Sequence, residues 1–170
     1  MNKLEEIMEW YKLTIESQRV TLKILNSSPE LVPLDSSLAE YKLSEAKKIL
    51  LKAENELNDL TVLSLVAVFE QLVLDYLKDL GKETIKKEEE ILSKSVLKYA
   101  LKNSDRWHFK DILDIFKSIL SNELVGSVKQ VYDYRNWVAH GKKETTSITK
   151  IDPEVAYDRL NEFIPVNNYR

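Results

Sequence analysis

The chain has 170 residues, 44% hydrophobic and 31% charged, a mix too apolar for a disordered segment and too charged for an integral membrane protein, at a length that suits one domain. Lysine and arginine number 25 against 28 acidic residues, a formal charge of −3, so bulk electrostatics do not mark a general nucleic-acid binder. With 3 Gly, 4 Pro and no cysteine, turn residues are too few for a multi-stranded β fold, and disulfides, thiolate metal sites and cysteine nucleophiles are excluded.

The expectation is therefore all-α: an up-and-down bundle of about five to seven helices occupying residues 1–170 as a single domain. The N-terminal MNKLEEIMEWYK is charged from its third residue and lacks the apolar core of a secretion signal, which points to the cytoplasm. Leu4, Ile7, Met8, Tyr11, Ile15, Leu22 and Leu25 recur at helical spacing and predict a first helix from about Asn2 to Asn26, ended by SSPELVP. Asp35, Ser36 or Ser37 can cap a second, with the stripe Leu38, Tyr41, Ile49, Leu50, Ala53 and Leu57, and Asn58–Asp59 reads as a break. The next segment, LTVLSLVAVFEQLVLDYLKDL, is apolar almost all round, as a central core helix should be, and Gly81 is its natural stop. Its most apolar run, Leu60–Phe69, is far short of the roughly 20 residues that span a bilayer.

After Gly81, a helix with Ile85, Ile91, Leu92, Val96, Tyr99 and Ala100 as its core stripe is predicted under a charged outer face, with KKEEE solvated. The polar NSDRWH precedes a short helix from about Lys110 to Leu120; His108, between Trp107 and Phe109, reads as a capping or interface residue. Ser121 or Asn122 caps a helix from Glu123 to His140, ended by Gly141. A polar loop leads to Asp152 and Pro153, the cap and first residue of a last helix to about Phe163, closed by Pro165.

Much of the usual catalytic vocabulary is missing: no phosphate-cradling Gly loop, no H-E-x-x-H, no G-x-S-x-G, and only His108 and His140 as histidines. No metal site and no cofactor are expected. The informative stretch is VYDYRNWVAHGK, residues 131–142. On a helix, Asn136 and His140 fall about 40° apart and Arg135 and His140 about 140° apart, so the three converge only through the long Arg stem, an unwound last turn, or a second subunit. Arg135 can clamp a phosphate and stabilise charge on its oxygens. An imidazole exchanges protons near neutrality, so His140 can take one from a ribose 2′-hydroxyl or give one to a leaving oxygen, with Asn136 orienting the imidazole or donating to phosphate.

Between Lys129 and Lys150 five cations face two anions, Asp133 and Glu144, a local basic excess in an acidic chain. Lys142, Lys143 and Tyr134 are accordingly expected to contact substrate. The rings of Tyr132, Tyr134 and Trp137 suit either base stacking or the packing of a core or subunit interface. Glu70, on the apolar central helix, must reach a rim or a cation, and Arg135 is a candidate partner.

R-N-W-V-A-H-G at the end of a late helix in a small helical chain resembles the HEPN superfamily, helical bundles that dimerise and include many metal-independent endoribonucleases with an R-x-x-x-x-H motif. The likeness is close over the motif helix; elsewhere it covers only the arrangement of long early helices, an apolar central helix with Phe69 and Glu70, and a last helix after a short loop. It implies that Arg135, Asn136 and His140 are catalytic, that two motifs face each other across a homodimer, and that the chain is a toxin or defence-type RNase leaving a 2′,3′-cyclic phosphate. An antitoxin protein would be a further partner; neither a membrane nor DNA is expected. Some toxins of the superfamily carry, two residues after the His, a Tyr that a nucleotidyltransferase antitoxin modifies; Lys142 stands there. A second reading is a non-catalytic helical module that uses the same helix for dimerisation or for holding a protein partner.

Overall fold

Six α-helices carry the fold in the computed structural model, which describes residues 3–142 and 148–164; none of those residues lies in a strand. They are α1 (Lys3–Ser27), α2 (Leu43–Lys87), α3 (Ile91–Lys102), α4 (Phe109–Ile115), α5 (Asn122–Ala139) and α6 (Pro153–Phe163), joined in part by short 3-10 turns. The protein is an all-α helical bundle.

α1 buries Leu4, Met8, Tyr11, Ile15 and Leu25, the stripe its periodicity predicts. The second helix starts later than its cap residues suggest: Ser36 does accept the Leu38 N–H at 3.2 Å, but the turn that follows, Ser37–Glu40, is 3-10. α2 begins at Leu43, with the Glu45 carboxylate accepting the Lys42 N–H at 3.4 Å. Tyr41 and Ile49, placed on the core stripe from sequence, are exposed, and Ala46 takes the buried position.

Neither expected interruption of α2 occurs. Asn58 and Asp59 each disfavour a helix interior by well under about 1 kcal/mol, which tertiary contacts outweigh. The Asn58 carboxamide accepts the Tyr11 hydroxyl at 2.9 Å, tying α1 to α2, while Asp59 is buried with partners of its own. At Gly81 the helix also continues, because the missing side chain serves packing. A Cβ there would stand 2.6 Å from the Leu101 Cδ2, so the glycine lets α3 lie close against α2. The result is one helix of 45 residues, roughly 68 Å long.

α2 is the spine of a core to which α1, α4, α5 and α6 all contribute. Val62, Leu65, Val66, Phe69 and Val73 are almost wholly buried. The Phe69 ring meets Phe109 and Phe163 edge-on, at 5.9 and 5.3 Å, and Phe163 packs at 5.0 Å from Phe116. α2 is long and apolar enough to cross a bilayer by length and composition, more so than Leu60–Phe69 alone suggests. In the bundle its apolar face packs on the other helices, as in a core helix.

α5 starts where Ser121 accepts the Leu124 N–H at 3.1 Å, and α6 has Asp152 and Pro153 as N-cap and first residue and ends at Phe163, as the sequence predicts. Pro165 lies outside the described residues. α3 departs most from expectation. Ile91, Leu92, Val96 and Tyr99, predicted as core, are 83, 69, 59 and 72% exposed. α3 packs on the far end of α2 with the half-buried Leu101 against Gly81, and no other described helix covers its opposite side.

If Gly81 is kept small by Leu101, the two positions are coupled. Gly81→Ala should be more favourable in a Leu101→Ala background than in the native one by at least about 0.5 kcal/mol in urea denaturation; an additive double-mutant cycle would show that the two side chains do not contend for the same space.

Candidate functional site

Residues 131–142 sit where α5 ends against the middle of α2. The helix closes at Ala139 with His140 as its C-cap, and the chain then turns through two left-handed residues, Gly141 (φ +82°) and Lys142 (φ +55°). The Gly141 N–H bonds to the Val138 carbonyl at 3.0 Å and the Lys142 N–H to the Trp137 carbonyl at 2.9 Å, the paired bonds of a Schellman turn, for which Gly141 is suited. A lysine in the same region costs on the order of 1–2 kcal/mol. The offset lies across the interface: the Lys142 ammonium is 2.6 Å from Asp59 Oδ2 and 3.0 Å from Glu56 Oε1.

Asp59 is the residue that reading the sequence missed. It is 5% exposed, and its other oxygen accepts a short hydrogen bond from the Tyr134 hydroxyl. A signal was available, since Asp59 precedes Val62, Val66, Phe69 and Val73 by three, seven, ten and fourteen residues and so falls on the buried face of α2. Burial, then the Asp59 hydrogen bond, pushes the Tyr134 hydroxyl well above its ordinary range. The hydrogen bond to Asp59, then that to Glu56, raises the Lys142 ammonium. Tyr134, expected to contact substrate, is instead 1% exposed and holds the helices together. Lys142, expected in the same role, is engaged with α2; Lys143 lies outside the described residues.

Three turns further along α2, Glu70 meets the same helix. Arg135 Nη2 is 3.3 Å from Glu70 Oε2 and Arg135 Nη1 donates to the Asn136 carboxamide at 2.9 Å. The guanidinium also stands 5.7 Å from the centre of the Tyr132 ring, which packs 5.3 Å from Phe109. Burial raises the Glu70 carboxyl above its ordinary value, opposed first by the charge of Arg135 and then by a hydrogen bond with Tyr132. Of the five N–H groups of Arg135, two are thus engaged; Nε is buried and bonds to no described residue, and one N–H on each Nη is left.

Asn136 and His140 are linked through the backbone, the His140 N–H bonding to the Asn136 carbonyl at 3.0 Å. The imidazole is exposed, and among the described residues no side chain pairs with it. Arg135 and Asn136 are thus brought into contact, while His140 stands one turn on at the helix end. Because Glu56 and Asp59 contact Lys142 near the end of α5, and Glu70 contacts Arg135 two turns earlier, α5 runs antiparallel to α2.

The basic excess inferred from residues 129–150 is largely met in space. Arg135 pairs with Glu70, Lys142 with Glu56 and Asp59, and Lys129 with Asp114 at 2.7 Å. Among the described residues no group of His, Cys, Asp and Glu has the grouping of a metal site. Comparison with known proteins gives no matching family model, curated protein or solved structure.

The Tyr134–Asp59–Lys142 cluster has a pH signature. Tyr134, Lys142 and Tyr11, the last pushed up to about 12 mainly by burial, hold their protons more tightly folded than unfolded, so their stabilisation is complete below about pH 10 and drains as pH rises through the native values. Urea titrations from about pH 8 to about pH 11 should show this decline and a shallower one in Tyr134→Phe. At neutral pH the same variant should lose about 1–3 kcal/mol by stranding a buried carboxylate oxygen; unchanged stability would mean that Asp59 is satisfied without Tyr134.

Proposed function

We propose that this protein is a metal-independent endoribonuclease of the HEPN type, a cytoplasmic toxin or defence RNase acting as a homodimer in which two copies of the α5 motif face each other. The observation that carries this reading is the state of Arg135: its guanidinium is braced by Asn136 and Glu70, yet the Glu70 contact at 3.3 Å is longer than the roughly 2.7–2.9 Å of a strong charge-assisted bond. A phosphate could take over that contact and the two uncommitted Nη hydrogens at once. Glu70 then acts as a positioning residue that holds the guanidinium before substrate arrives.

In this scheme Arg135 and Asn136 grip the scissile phosphate and His140, exposed one turn on at the helix end, reaches in to accept the 2′-hydroxyl proton. The 2′-oxygen attacks phosphorus, the bond to the 5′-oxygen breaks, and the products are a 2′,3′-cyclic phosphate and a 5′-hydroxyl. The second His140 of a dimer would return a proton to the leaving oxygen. The turn at Gly141 lies where the flanking backbone would pass, and Lys143 enters this scheme as a substrate contact on its sequence position alone. The near-neutral pairing of Arg135, Lys142 and Lys129 favours a second reading, a non-catalytic module that docks a protein partner through α5, because RNA binding leans on unpaired cations.

The two readings separate in one assay. Purified protein should cut single-stranded or transfer RNA in EDTA and leave cyclic phosphate ends, and Arg135→Ala or His140→Ala should slow cleavage by about 10²–10⁴-fold without loss of helicity. A double variant that cuts as fast as the native chain, or a native chain that cuts nothing while binding a protein through α5, would end the nuclease assignment.

A further inference from the structure

A pocket of about 290 Å³ opens between α5, α6 and the non-helical residues 148–151. It lies on the far flank of α5 from the motif, since Asp133, which lines it, stands about 160° round the helix from Arg135. Its charged groups are unevenly committed. Asp133 is paired with Lys110, and Lys150 donates to the Asn55 carboxamide of α2 at 2.8 Å. Arg159 is half-buried, yet unlike Arg135, Lys129 and Lys142 it meets no carboxylate among the described residues. Its Nη1 donates to the Gln130 carboxamide at 3.0 Å and stands 3.5 Å from the Ser127 carbonyl, both neutral acceptors, which leaves the hydrogens of Nε and Nη2 uncommitted. Asp152 is the converse case. It is the N-cap of α6, but its side chain accepts no cap bond and forms no ion pair among the described residues.

A guanidinium without an anion and a carboxylate without a cation thus line one pocket. Asp152, Val155 and Arg159 follow at intervals of three and four, within about 60° of arc, so the two charges sit about 10 Å apart along α6 with an apolar side chain between them. Beside them, the backbone N–H and C=O groups of residues 148–151 have no hydrogen-bond partner among the described residues. A simple anion would suit Arg159 and be repelled by Asp152, and a neutral molecule would satisfy neither. A molecule with opposite charges at its two ends and amides between them suits all three features, and three extended peptide residues span about 10 Å.

We propose that this pocket binds a short peptide with free ends, about three residues long, its carboxylate on Arg159, its ammonium on Asp152 and its amides on the open backbone of residues 148–151. The pocket is separate from the α5 motif, so the proposal does not rest on the nuclease reading.

NMR titration of the native chain with trialanine should give a Kd of about 1 mM or below, with shifts at residues 148–151 and Arg159. Trialanine amide and N-acetyl-trialanine, which each lack one end charge, should bind at least about tenfold more weakly. Arg159→Gln should bind the free acid and the amide alike, and Asp152→Asn should bind the free and acetylated amines alike. The peptide variants leave the protein untouched, so they decide the question even where Arg159→Gln disturbs the α5–α6 contact. Absence of trialanine binding at about 10 mM would overturn the proposal. So would an amide or acetylated peptide that binds as tightly as trialanine, or inorganic phosphate that binds more tightly than the peptide.

Discussion

The arrangement around residues 131–142 depends on a single buried carboxylate. Asp59 sits inside the α2–α5 interface, where an uncompensated charge would be prohibitive, and is tolerated because Tyr134 and Lys142 each satisfy one of its oxygens. The two partners are eight residues apart, one within α5 and one beyond its end, so a single acceptor fixes both the rotation of α5 and the course of the chain as it leaves the helix. Lys142 can reach Asp59 only because the backbone has passed through two left-handed residues. His140, immediately before that turn, inherits its position from a contact it does not make.

Glu70 repeats the theme eleven residues along α2, on nearly the same face. The partly buried carboxylate braces Arg135, with Tyr132 supporting both. The two acidic positions differ in consequence. Asp59 is deep and fully engaged, which suits a fixed structural joint; Glu70 lies nearer solvent in a long contact, which suits an exchangeable one. α2 thus serves two purposes at once: its apolar residues build the core around Phe69, and its carboxylates neutralise and orient Arg135 on α5 and Lys142 in the turn beyond it.

The candidate site was legible in part. Arg135, Asn136 and His140 stood out because chemically distinctive side chains are close in sequence and share a helix end. What could not be read was their surroundings: whether Lys142 faces solvent or α2, and whether the Tyr134 ring is open or buried, depends on residues some 75 to 86 positions away. The basic excess of the segment was real as a count, yet its electrostatic effect is reduced by carboxylates from another helix, which a local tally cannot see.

Composition, periodicity and capping residues together set the class of the fold, the stripe of α1, the cap of α5 and both ends of α6, because those features follow from backbone hydrogen bonding and from which residues suit a helix terminus. Tertiary packing decided the rest. Asn58–Asp59 and Gly81 look like helix breaks by local preference, but that preference amounts to about 1 kcal/mol per residue or less, and a buried polar bridge or the close approach of Leu101 outweighs it. Hydrophobic spacing likewise marked one face of α3 as apolar; whether that face is covered is a property of the helices around it, and in this bundle none of the described ones reaches it.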